Sequence, residues 1–205
     1  MSANSELQYI YFGEQIDFTN VYEISDRKMV EDPVFTIMMT VYNDTSLLNT
    51  AINSCLRQSF SSWELLILDN SDKSNKPWSM IQNAMAYDGR IHGFRSEKNV
   101  GWAKGSQVLL QHAKGEYVTF LSADDCLNTG ALLKIYEEIR KNHPDVIFVG
   151  NMYTNYLGEH EVKSIGEVLP EYMIYTGDNK SEALVEIMKK VYYNSMFHYE
   201  KRAFM

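Results

Sequence analysis

Asp124 and Asp125 follow an apolar run, Val118-Thr119-Phe120-Leu121, with only Ser122 and Ala123 between. Adjacent carboxylates at the end of a buried strand can hold a hard divalent cation, and that cation can hold phosphate oxygens. The same residues admit a plainer reading, in which Asp125 or Asn128 caps the helix that Leu132 and Leu133 announce. A further acid, Asp69, ends the run Trp63 to Leu68 and opens Asp69-Asn70-Ser71-Asp72. A carboxylate there can accept from a base N–H or a ribose hydroxyl, although Asp-Asn-Ser also makes a good turn. Thr40-Val41-Tyr42-Asn43 sets polar groups at the end of a third apolar run.

These groups need a scaffold that brings three strand ends together. Val34 to Val41, rich in β-branched and apolar residues, reads as a strand. Asp44 or Thr45 is positioned to cap a helix in which Leu47, Leu48, Ala51, Ile52, Cys55 and Leu56 recur at helical spacing. Trp63 to Leu68 is a second strand, and Pro77 suits the first turn of a helix through Ile81 and Met85. A short strand spans Ile91 to Phe94. Asn99-Val100-Gly101 leads into a helix through Val108, Leu109 and Ala113, and Tyr117 to Leu121 is the next strand. A helix from Gly130 to Asn142 ends at His143-Pro144, before a strand from Val146 to Val149. Strands alternating with helices predict an α/β fold, a mostly parallel sheet covered on both faces. Thr40, Asp69 and Ser122 then share the carboxyl edge, where such sheets bind nucleotides. Residues 1–32 read as an appended arm or short edge element and 33–150 as the nucleotide-binding portion. Beyond 150 the alternation dissolves: Asn151 to Tyr175 is aromatic and irregular, a helix is expected from about Asp178 to Val191, and Phe197-His198-Tyr199 belongs to a tail.

The chain has 205 residues, 45% of them apolar, enough for one well-packed domain. A formal charge of −8 argues against nucleic acid as a partner. It also opposes docking on anionic membrane, while leaving peripheral association through a local patch such as Lys189-Lys190 open. An anionic ligand needs a metal ion or helix N-termini to offset repulsion. The two cysteines, Cys55 and Cys126, make no disulfide framework, and Cys55 falls in an apolar helical pattern. No signal peptide and no membrane-spanning run is evident, so a cytoplasmic location is expected.

The ordered set of motifs resembles family 2 glycosyltransferases of the GT-A fold, over residues 33–150. Thr40-Val41-Tyr42-Asn43 is similar to their first-strand signature, and Ser54 to Phe60 followed by Trp63-Glu64 to their helix-to-strand joint. Asp69-Asn70-Ser71-Asp72 resembles the uridine-contacting step. Asp88-Gly89-Arg90-Ile91, Asn99-Val100-Gly101 and Ala113 to Tyr117 follow in the family's order, and Ser122 to Asp125 lies where the family keeps its metal-binding acids. The resemblance implies a Rossmann-like GT-A sheet and transfer of a sugar from a nucleotide-sugar, UDP-linked, to a glycan or lipid-linked acceptor. It implies a donor site at Thr40, Tyr42, Asn43, Asp69, Asn99, Gly101, Lys104 and Ala123, with Asp124 and Asp125 on Mn²⁺ or Mg²⁺. The ion would improve the nucleoside diphosphate as a leaving group, and inversion would follow from direct displacement by a deprotonated acceptor.

Three departures stand out. Ser122 replaces the first acid of the motif, Asn70 replaces the second acid of the Asp-Asp step, and Gly105-Ser106-Gln107 stands where an Ala-Arg-Asn run is common, leaving Lys104 as the substitute cation. The catalytic base is expected beyond Met205, in a longer parent enzyme. Glu159, Glu161, Glu167, Glu171 and Asp178 are the acids remaining within the chain, and each is also an ordinary surface residue. His198 could approach a metal from the tail, and Trp102 could wall the donor pocket or simply pack on the sheet. A non-catalytic nucleotide-sugar-binding module is the alternative function. A nucleotidyltransferase would need a glycine-rich basic loop, which Val41 to Leu48 lacks.

Overall fold

A computed structural model describes residues 21–23, 32–72, 74–144, 146–148, 153–154, 162–163 and 198–201. Four parallel strands form its centre: β2 (Phe35–Val41), β3 (Trp63–Asp69), β4 (Ile91–Ser96) and β5 (Tyr117–Phe120). Edge strand β1 (Val21–Glu23) runs antiparallel to β4. With β6 (Val146–Phe148) and β9 (His198–Lys201), the sheet has the order β1-β4-β3-β2-β5-β9-β6. A separate hairpin pairs β7 (Tyr153–Thr154) with β8 (Val162–Lys163).

Every residue of β3 is buried, as a strand covered on both faces requires. The period of two divides the sheet's side chains between two cores. Phe35, Ile37, Met39, Val41, Leu65 and Ile67 meet α1 (Leu48–Leu56), α2 (Lys76–Tyr87) and α4 (Ala131–Asn142). Met38, Leu66, Leu68, Phe94 and Val118 meet Leu109 on α3 (Trp102–His112). A Cβ on Gly105 would come within 2.8 Å of Leu68 Cδ2 and 3.4 Å of Thr40 Cγ2. Glycine at 105 thus seats α3 close against β2 and β3.

At the amino edge, buried Glu64 ties the strands together. Its Oε1 accepts from the Thr36 hydroxyl at 2.6 Å and from the Lys114 N–H at 2.7 Å. The Thr36 oxygen in turn accepts from the Gly115 N–H. Cys55 lies in the core, as its helical pattern predicts, and burial pushes its thiol up to about 12.

Local expectations need correction in three places. Neither Asp44 nor Thr45 caps α1: Leu47 precedes the helix without a side-chain cap, and Asp44 accepts from the Ser46 N–H in a turn of its own. Neither Asp125 nor Asn128 caps α4, which follows Gly130; the Asn128 carbonyl instead accepts from Ala131 N–H and from the Gln58 amide. Residues 198–201 are not a loose tail. Strand β9 lies between β5 and β6, antiparallel to both. The helix expected over 178–191 and most of the irregular stretch over 151–175 lie outside the described residues.

Candidate functional site

From β2 the chain builds β3 and β4 on one side, then returns through α3 to place β5 on the other side. The carboxyl ends of β2 and β5 therefore flank a topological switch point, the crevice in which open α/β sheets bind ligands. A cleft of about 280 Å³ opens there. Strand β2 and its continuation contribute Met38, Thr40 and Tyr42, the next turn Asp44, Ser46 and Leu47, and α3 contributes Trp102. Residues 120–125, at the end of β5 and just past it, form the remaining wall.

The lining of the cleft is part apolar and part acidic. Met38, Leu47, Phe120 and Leu121 give it hydrocarbon, while Asp44, Asp124 and Asp125 put three carboxylates along it. No lysine or arginine is among these lining residues. Burial, and then repulsion from Asp124, push the Asp125 carboxyl above its ordinary range, and a hydrogen bond from Ser122 pulls the other way. Asp44 is held below the ordinary range, chiefly by the Ser46 N–H. Among the described residues no group of three or more His, Cys, Asp or Glu is arranged around a common metal position. A hard cation at Asp124 and Asp125 would complete its shell from water and from a ligand's phosphate oxygens.

Beside the cleft, the end of β3 carries a second polar cluster. Asp69 is fully buried, and its Oδ1 accepts from the Ser71 N–H at 3.0 Å. Its Oδ2 has no hydrogen-bond partner among the described residues; Arg95 Nε stands 3.7 Å away. A buried carboxylate oxygen left unpaired is costly, and it suits a site completed by a ligand donor. Asn70 spans the gap to the loop before α3, reaching Asn99, Val100 and Ser96. Asn43, in the left-handed region at φ 57°, donates its backbone N–H to the Ser71 hydroxyl oxygen and its side-chain amide to Asp72. Gly101, at φ 78° and ψ 163°, takes a backbone conformation that is essentially glycine's alone.

Of the residues that the motifs single out, Thr40, Tyr42, Ala123, Asp124 and Asp125 line the cleft together. Asn43, Asp69, Asn99 and Gly101 belong to the adjoining cluster. Lys104 lies on α3 and is not among the residues that line the cleft. Trp102 both lines the cleft and packs on Phe120, with ring centres 5.4 Å apart. The backbone of His198 pairs with Phe148 in β9, at the end of that strand nearer the carboxyl edge of β5. Sequence reasoning missed Met38 and Phe120 as walls and read Asp44 only as a cap. Alternation along Met38, Thr40 and Tyr42 carried the signal, since it places all three on one strand face.

The profile of glycosyl transferase family 2 matches residues 36–202. The chain belongs to that family. Among relatives, a glycosyltransferase of Haemophilus influenzae described as uncharacterized is 35% identical over 54% of this chain and 44% of its own length. An Escherichia coli protein, UDP-Glc:alpha-D-GlcNAc-diphosphoundecaprenol beta-1,3-glucosyltransferase WfgD, is 26% identical over 71% of this chain and 55% of its length. The Staphylococcus aureus poly(ribitol-phosphate) beta-N-acetylglucosaminyltransferase TarP is 27% identical over 80% of this chain and 45% of its length. This chain thus spans about half the length of these relatives. Among solved structures, S. aureus TarS residues 1–349 in complex with UDP-GlcNAc superposes with a TM-score of 0.53, at 24% identity over 65% of this chain and 38% of that one. A Pyrobaculum calidifontis mannosyltransferase in complex with GDP-Man and Mn²⁺ gives 0.52, at 16% identity over 60% and 36%. These likenesses show the expected GT-A α/β fold.

Proposed function

We propose that this chain carries the donor half-site of a glycosyltransferase that moves a sugar from a UDP-linked donor to a glycan or lipid-linked acceptor. The process served is assembly of cell-surface polysaccharide. One observation carries the reading: a buried carboxylate oxygen without a hydrogen bond and two acids, Asp124 exposed and Asp125 half-buried, lie on the same carboxyl edge. Asp69 on β3 and the acids after β5 are separated by β2, hence by roughly 10 Å of sheet width. A nucleoside diphosphate extends over a comparable length from base to phosphates. Relatives support the assignment, because WfgD bears a UDP-linked donor and a diphosphoundecaprenol-linked acceptor in its name and TarP a poly(ribitol-phosphate) in its own.

Asp69 accepts a donor N–H or hydroxyl of the nucleoside, Thr40 and Tyr42 border the nucleotide, and Asp124 with Asp125 hold Mn²⁺ or Mg²⁺. The ion supplies charge neutralisation on the departing diphosphate. An inverting displacement needs a base for the acceptor hydroxyl, and we assign that base to the acceptor-side portion beyond the described residues.

Calorimetric titration of UDP with and without Mn²⁺, repeated on Asp124→Ala, tests the reading. Metal-dependent binding that the variant loses is expected. Absence of UDP binding by the wild-type chain in either condition would overturn it.

A further inference from the structure

We infer that Trp102 is a specificity-determining residue of this cleft, its indole stacking on the planar base of the nucleotide. The inference rests on the donor-site reading above and adds a contact that the family motifs do not assign. Trp102 opens α3 at the edge of the cleft and is 51% exposed, unusual for so large an apolar side chain beside a packed sheet. One side of the indole is engaged by Phe120 at 5.4 Å, which fixes the ring instead of letting it sweep through solvent. Its backbone is fixed as well. Gly101 before it sits in a glycine-specific conformation, and the Asn70 amide holds Asn99 and the Gly101 carbonyl.

The mixed lining of the cleft decides which part of the donor meets the ring. The acids after β5 would take the metal and phosphates, so the apolar lining, Met38, Phe120 and the indole itself, is left for the flattest and least polar group. In a nucleotide-sugar that group is the base. Base–aromatic stacking is sequence-tolerant in itself, so Trp102 supplies grip and Asp69 supplies choice of base.

Tryptophan emission offers a readout independent of transfer. The chain has 3 tryptophans, and Trp63 and Trp78 are buried at 0% and 7% exposure. Quenching by acrylamide therefore reports chiefly on Trp102. With Mn²⁺ present, UDP should change the emission and reduce acrylamide quenching. By calorimetry, Trp102→Ala should weaken UDP binding roughly tenfold and Trp102→Phe about threefold or less, within the range known for base stacking. Neither variant should alter affinity for inorganic pyrophosphate with Mn²⁺. Circular dichroism of both variants should match the wild type.

Equal UDP affinity in Trp102→Ala overturns the inference while leaving the donor-site reading intact. A loss seen with UDP-sugars but not with UDP also overturns it, because the ring would then face the sugar. Failure of the wild type to bind UDP would remove the donor-site reading itself, and this inference with it.

Discussion

The side-chain amide of Asn70 donates to Asn99 Oδ1 at 2.9 Å, joining the end of β3 to the loop that launches α3. The same side chain accepts from Val100 N–H at 2.8 Å and from the Ser96 hydroxyl at 3.0 Å. Its amide character matters because it donates and accepts at once, which a carboxylate cannot do. Asn70→Ala should lower stability by about 1–3 kcal/mol by stranding buried partners. Asn70→Asp should keep the two accepted bonds yet repel Asn99 Oδ1. Urea unfolding of both variants checks this; an unchanged midpoint in each would refute the clamp.

Asp69 presents the opposite balance. Its buried Oδ2 lacks a hydrogen bond, and Arg95 stays beyond hydrogen-bonding distance. Burial of a poorly compensated charge contributes little to folding, so Asp69→Asn should unfold within about 1 kcal/mol of wild type. UDP affinity should nonetheless fall by about tenfold or more, as charged hydrogen bonds are worth about 1.5–3 kcal/mol. Thermal unfolding and calorimetry on one sample separate the two effects. A parallel loss of stability and binding would make Asp69 structural.

Gly101 is constrained by conformation and not by space. A Cβ there would meet nothing within 4 Å, yet φ 78° with ψ 163° excludes L side chains. Gly101→Ala should cost about 1–3 kcal/mol. It should also shift Trp102 emission, because the strain relaxes at the residue before the indole. Fluorescence during denaturant titration reads both quantities.

Asp88 gives a pH dependence with a defined sign. Arg90 hydrogen bonds, first among the causes, hold its carboxyl below the ordinary range, with Nη2 at 2.7 Å from Oδ2. A pKa lower in the folded than in the unfolded chain contributes stability above the unfolded value, near about 4, and loses it as pH falls through the folded value. Asp88→Asn should cost about 0.5–1 kcal/mol at pH 7 after allowance for solvent screening. The difference from wild type should vanish in acid. Unfolding midpoints measured from pH 7 to pH 2.5 decide it; a gap that widened in acid would contradict the sign.

Much of this arrangement was legible because buried parallel strands advertise themselves. Val34–Val41 and Trp63–Leu68 could satisfy their apolar runs only between two layers, and that fixed the shared edge of Thr40, Asp69 and Ser122. The caps were misread because Asp44 and Asn128 serve turns as readily as helices, and the winner depends on tertiary partners such as Gln58. Gly105 opened a run read only as lacking an arginine, whereas its own reason is the approach of Leu68. Asn70 looked like a tolerated exchange of an acid; its four partners lie 26 to 31 positions away and leave no local trace. Strand β9 was illegible for the same reason. His198-Tyr199-Glu200-Lys201 is too short and polar to announce a strand without its neighbours on both sides.

The placement of β9 sets an order of events during synthesis. Strands β5 and β6 have emerged by Phe148, yet the strand that joins them arrives about 50 residues later. At roughly 5–20 residues per second, the nascent sheet waits a few seconds with the β5 edge unpaired. An open edge of that kind is a template for pairing with another chain. Ribosome-bound intermediates ending before His198 are therefore the species most dependent on chaperones, and yield of soluble protein should be sensitive to translation rate across that interval.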